Sequence, residues 1–156
     1  MMKSLLLLSL VSFSLRGQAT PGIPAPWNVS QAVATLSAQA GRLKPILDQL
    51  TPQEWVAKGA PEVYVQQWRS AREELGYVGQ TAAALEKQPE KLTAALDTYF
   101  RLQYIETRLP SLADGAREYQ SPALGNLLLS VLGDNSANLD QLRQYITQLA
   151  VQKEQE

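Results

Sequence analysis

Carboxylates and aromatic rings are the chemistry-bearing side chains of this sequence, because its 156 residues contain neither histidine nor cysteine. Two carboxylates held in one cleft can move a proton to and from a substrate, one as acid and the other as base. Glu106 is the acidic residue that falls on an apolar helical stripe, between Leu102 and Leu109. Buried there, it would serve as a functional acid or pair with an arginine such as Arg72 or Arg42. An unpaired buried carboxylate is costly, so the simpler expectation sets Glu106 at the edge of the stripe with Ile105 turned inward. Glu73 and Glu74 read as a solvated face, and Asp114, Asp134 and Asp140 lack the spacing of a calcium loop.

Trp55, Tyr64 and Trp68 form the second group. Flat rings gathered at one end of a helical domain suit an apolar ligand or a partner's side chain, which makes these three the candidate contact residues. Core packing accounts for them as well, since large aromatics commonly close the ends of cores. Asn28, Val29 and Ser30 match the acceptor pattern for N-glycosylation, but Asn28 reads better as a helix cap.

The missing residue types close off whole classes of chemistry. Haem is usually held by an axial His, Met or Cys, and the two methionines, Met1 and Met2, fall in an expected leader. Structural zinc needs Cys or His, di-iron bundles need Glu-x-x-His pairs, and triads need a histidine base or a thiol. No catalytic, cofactor-binding or metal-ligating residue is therefore expected, no cofactor is implied, and the chain reads as non-enzymatic.

Residues 1–19 have the layout of a secretory signal peptide. Lys3 gives a positive start, residues 5–15 are apolar apart from three serines, and Gly17 and Ala19 are the small residues before a cut at Thr20. That apolar run falls short of the roughly 20 residues a bilayer span needs, so no transmembrane anchor is expected after cleavage. Removing Lys3 and Arg16 from the 14 basic side chains leaves 12 against 15 acidic ones, a formal charge of −3 over 137 residues. Nothing in that balance resembles the basic stripe that nucleic acid demands. The expected location is periplasmic or extracellular. With no disulfide available, packing alone must hold the domain together.

Packing signals are plentiful. Tyr64, Trp68, Ala71, Leu75, Val78, Ala82 and Leu85 follow one another at spacings of four and three, a heptad seam that must be covered by other helices. Residues 20–27 hold three prolines and a glycine and read as an extended lead-in. A first helix is expected over 28–50, capped by Asn28 with Gln31 three places on and bent near Gly41 to Pro45. Thr51, Pro52 and Glu54 open a short helix over 52–58 that carries Trp55 and stops at Gly59. The seam helix spans 61–85, with Arg69 and Glu73 as a polar pair. The next starts at Pro89 and should kink or break at Pro110. Ser121 and Pro122 open the last, read as one long helix over 122–152 that is weak at residues 133–136, before a polar tail of 153–156.

Apolar residues recur at helical spacing throughout, so the expected fold is all-α: an up-down-up-down four-helix bundle over 28–152, with a short extra helix between the first and second long ones. Residues 54–68 (EWVAKGAPEVYVQQW), 89–102 and 119–124 resemble exported helical proteins of unassigned function from soil bacteria of the acidobacterial kind. That resemblance implies export and an all-helical domain and carries no site residues across. Leu50, Thr51, Pro52 and Gln53 are similar to the Leu-Thr-x-x-Gln motif of small periplasmic chaperones of the Spy and CpxP kind, with the glutamine one place early. Three functions follow in order: a binding protein for an envelope protein or small apolar ligand, a periplasmic stress chaperone, and a carboxylate-dependent enzyme. Leu127, Leu128, Leu129, Val131 and Leu132 cover more than one helix face, as a central helix, an exposed patch or a self-association surface would.

Overall fold

A computed structural model describes residues 28–156. The expected signal peptide and the lead-in of 20–27 lie outside the described residues. Within them the chain is all-helical, with no strand: α1 (Val29–Leu47), α2 (Pro52–Ala57), α3 (Val63–Lys87), α4 (Leu92–Tyr119) and α5 (Pro122–Gln155).

The helix starts follow local chemistry. Asn28 accepts a hydrogen bond from the Gln31 amide at 3.1 Å, and Ser121 accepts one from the Leu124 amide at 3.3 Å, each answering a donor that the first turn leaves without a partner. Thr51 departs from its expected role, for its side chain caps no amide and instead reaches the Glu54 carboxylate at 3.2 Å. Gly59 ends α2 at φ +97°, a left-handed conformation that glycine adopts without strain. Helix α3 begins two residues after Pro61, and α4 begins at Leu92 after a turn at residues 88–91, in which the Lys91 amide bonds Gln88 O at 3.0 Å.

Neither internal proline ends its helix. Helix α4, 28 residues long, does not break at Pro110 but continues to Tyr119. Pro110 faces solvent while Leu109, Leu112, Ala113 and Ala116 around it are fully buried, so the packed face holds the helix through the lost hydrogen bond. Helix α1 stays helical across Pro45, as expected, and ends at Leu47 rather than residue 50. Helix α5 is continuous across Gly133 to Ser136 and reaches Gln155, through most of the expected tail. Arg69 and Glu73 form no ion pair; Arg101 bonds Glu74 at 3.0 Å and Asp97 at 3.1 Å instead.

Each long helix packs on two others, α1 on α3 and α5, and α4 on α3 and α5, while α2 lies against α3 and α4. Cross-links fix their directions. Asp48 meets Arg72 while Gly41 and Gly76 share a groove; Gln67 meets Ser111 while Glu74 meets Arg101; Arg42 meets Asp134 while Gln39 meets Asn138. Residue numbers rise on one helix as they fall on its neighbour, so these contacts are antiparallel. The seams face inward: Val33, Leu36, Ala40, Leu43 and Leu47 of α1 and Ala71, Val78, Ala82 and Leu85 of α3 are buried, and each fully buried leucine contributes about 1.5–3 kcal/mol relative to exposure. Gly125 lets α5 lie close on α4, because a Cβ there would meet the Ala113 carbonyl oxygen at 2.4 Å.

Candidate functional site

The short helix α2 sets Trp55 against the ends of α3 and α4. The ring is fully buried and meets Tyr64 edge to face, with centroids 5.7 Å apart and planes at 77°. Tyr64 in turn lies 6.3 Å from Tyr119. Room for the pair comes from Gly115, where a Cβ would stand 2.9 Å from both Trp55 Cζ3 and Tyr64 Cε1. The Trp55 indole nitrogen donates to Gln120 Oε1 at 3.0 Å. That oxygen also accepts from the Thr51 amide at 3.0 Å, and the Gln120 amide donates to the Gln49 carbonyl at 2.7 Å. Gln120 therefore ties the start of α2 to the turn between α4 and α5. Lys58 adds a second tie by donating to the Tyr119 carbonyl at 2.7 Å.

Trp68 belongs to a different contact. Its indole nitrogen donates to the Leu47 carbonyl at 2.7 Å, satisfying an acceptor at the end of α1, and the Arg72 guanidinium lies over its ring at 4.7 Å. Arg72 also pairs with Asp48 at 2.9 Å, and Lys44 reaches the same carboxylate at 2.6 Å. The Lys44 hydrogen bond, with the Lys44 and Arg72 charges, holds the Asp48 carboxyl below its ordinary range, against an opposing desolvation. The three expected contact residues thus divide. Trp55 and Tyr64 meet, while Trp68 seals α1 against α3, and a ligand could touch Trp55 only by displacing its neighbours.

Glu106 lies at the edge of the apolar stripe, half-buried, and Ile105 turns inward. Its carboxylate accepts a hydrogen bond from the Ser136 hydroxyl of α5. Neither expected arginine reaches it, for Arg42 pairs with Asp134 at 3.1 Å and Arg72 with Asp48. Asn138 donates to Gln39 of α1 at the same level of the fold, and Asn135 is buried with its Oδ1 bonded to no protein atom. Of the apolar run on α5, Leu127 stays exposed, while Leu128, Val131 and Leu132 are buried.

An outward face on α3 and α4 has no counterpart in the sequence reading. Phe100 is 59% exposed and Tyr77 45%. Arg101, the residue after Phe100 on α4, stacks on the Tyr77 ring at 4.6 Å, and two turns further Arg108 stacks on Tyr104 at 5.4 Å. The Glu74 and Asp97 bonds hold the Arg101 guanidinium more firmly protonated than usual, outweighing the desolvation that opposes its charge. Periodicity cannot reveal such a face, because it scores the apolar stripe that is covered rather than the aromatic left outside it. Gln120 and Gly115 were equally silent: a lone glutamine and a lone glycine carry no spacing signal for partners 65 or 60 residues away.

Among the described residues no helix is long and apolar enough to cross a membrane. No family model matches the chain, and no curated protein or solved structure matches it.

Proposed function

We propose that the protein is an exported, up-down-up-down four-helix bundle with a short extra helix, acting by binding an envelope protein rather than by catalysis. The observation that carries this reading is the pair of exposed aromatics on α3 and α4, Tyr77 beneath the stacked Arg101 guanidinium and Phe100 edge to face with Tyr99. Aromatic side chains and arginine supply most of the energy at protein interfaces, and rings held by stacked guanidinium groups lose little freedom on binding. Export rests on the layout of residues 1–19, and kinship with acidobacterial exported helical proteins rests on residues 54–68, 89–102 and 119–124.

A small apolar ligand at Trp55 is the less favoured form of the same reading, because the ring is fully buried and its nitrogen is engaged by Gln120. A carboxylate-dependent reaction gains nothing from Glu106, whose bonded partner is the Ser136 hydroxyl and not a second carboxylate. A chaperone would need a continuous apolar surface, whereas the run at the start of α5 leaves Leu127 exposed and tucks Leu128, Val131 and Leu132 inside.

Site-specific photocrosslinking tests the proposal. A benzophenone side chain at Phe100 or Tyr77, in the full chain in its native host, is expected to yield an adduct with one envelope protein, and the same probe at the exposed Val151 of α5 is not. Adducts only with a second copy of the chain would replace the partner by self-association. No adduct from either aromatic position would end the reading.

A further inference from the structure

Helix α5 is weakest in its middle, where Gly133, Asp134, Asn135 and Ser136, all poor helix formers, stand in succession. Asn135 falls on the inward stripe, 8% exposed, with its Oδ1 sealed from solvent and accepting no hydrogen bond from the protein. A buried acceptor left unanswered opposes the packed state. The two sides of this segment are unequally packed. Before it α5 buries Gly125, Leu128, Val131 and Leu132, and Gly125 lies close on the Ala113 carbonyl of α4. Over the longer stretch after it, residues 137–155, only Leu142 and Leu149 are buried, while Leu139, Tyr145 and Ile146 are partly covered. Polar ties add little here. Arg42 and Asp134 pair through exposed side chains, and Ser136 and Asn138 each reach one partner, Glu106 and Gln39.

We propose that residues 137–155 form an arm that leaves α1 and α4 as a unit, turning at residues 133–136, while the rest of the bundle stays packed. The turn of helix that breaks is the one its own residues favour least. Opening at this level exposes Asn135 Oδ1 to solvent, so the open form recovers what the closed form gives up. Its cost is the uncovering of Leu142 and Leu149 and the loss of the hydrogen bond from the Tyr145 hydroxyl to the Pro89 carbonyl. That is less than the cost of unpacking the residues before the segment. The antiparallel pairing of Gln39 with Asn138 and of Glu106 with Ser136 sets the arm along the first halves of α1 and α4, whose inward residues include Val33, Leu36, Ala95 and Leu102. The Gln120 ties lie at the opposite end of the bundle and are the same in both forms. Such an arm is a local cooperative unit, less stable than the domain that carries it.

Amide hydrogen exchange on the full chain tests the arm. Amides of residues 141–149 should share one protection factor, at least about tenfold below that of residues 125–131, with the step at the weak segment. Simple fraying would instead give a steady fall in protection toward Gln155, and that pattern overturns the proposal, as does equal protection along the whole of α5. Gly133→Ala combined with Asn135→Leu favours the closed turn and should raise the arm's protection at least about tenfold. An unchanged arm would refute a hinge at residues 133–136. Gln120→Ala loosens the opposite end, so it should lower protection over residues 125–131 and leave the arm's unaltered. A matching fall in both would mean that α5 opens only with the whole bundle, and the proposal would fail.

Discussion

The α2 end and the middle of α5 solve the burial of polar atoms in opposite ways. At the α2 end the Trp55 nitrogen, the Thr51 amide and the Gln49 carbonyl all converge on one side chain, Gln120, and no sealed polar atom there is left without a partner. In the middle of α5, Asn135 is sealed off with its oxygen unanswered by the protein, one residue before Ser136, which does bond Glu106 of α4. A region where every donor and acceptor is matched by fixed geometry resists change. A region that already leaves an acceptor unanswered tolerates it. The difference teaches where this fold is rigid, and it ranks the consequences of substitution.

The largest effect is expected at Trp55. Trp55→Ala removes a fully buried ring and leaves a cavity between α2, α3 and α4, and losses for such truncations run to about 3–5 kcal/mol. Urea denaturation of the two chains gives the difference directly. A loss below about 1 kcal/mol would mean that the α2 end is not the rigid part. Gln120→Ala comes next, because it leaves the Trp55 nitrogen and the Thr51 amide without their acceptor, at about 1–3 kcal/mol. Replacing Asn135 by leucine should move stability much less than Gln120→Ala, since it removes both the buried acceptor and the need to answer it. If Asn135→Leu cost as much as Gln120→Ala, the two regions would be alike and the contrast would fall.

How much of this was legible in the sequence follows from the range of each interaction. The seams of α1 and α3 and the caps at Asn28 and Ser121 depend on residues three or four apart, and the sequence displays such spacings openly. The single long α5 was legible for the same reason, because its stripe keeps its period through Asn135. No break occurs at Pro110, because its cost is local while the leucines and alanines that outweigh it are held by other helices. At the candidate site, Trp55 and Tyr64 were singled out and do meet, but which chemistry they serve turned on Gln120 and Gly115, whose roles exist only once α2 and α4 are side by side. Phe100 faces water while Leu102, two residues on, is buried, since helix phase and not residue type separates the two outcomes.

Gly133→Ala sharpens the comparison from the other side. Gly133 lies inside α5 with nothing near the place a Cβ would occupy, so alanine should stabilise the helix by about 0.5–1 kcal/mol through a lower conformational entropy cost. The same substitution at Gly115, which stands against Trp55 and Tyr64, should destabilise by about 1–3 kcal/mol. Opposite signs for two helical glycines in thermal or urea unfolding would express the contrast in one experiment, and equal signs would refute it.

The smallest expected effect is a change with pH at the α1 end, where Asp48 sits between Lys44 and Arg72. Its carboxyl is held below the value it has in the unfolded chain, mainly by the Lys44 hydrogen bond, so the folded state favours the ionised form. Protons bind the unfolded chain more readily, and stability from this group is present above the unfolded value and lost as the pH falls through the folded one. The pair is exposed and screened by salt, which keeps the contribution small. Asp48→Asn should therefore lower the urea midpoint slightly at neutral pH, and the gap between the two chains should close on acidification through the carboxylate range. A gap that stays constant with pH would show that Asp48 acts through packing or capping at the end of α1 and not through its charge.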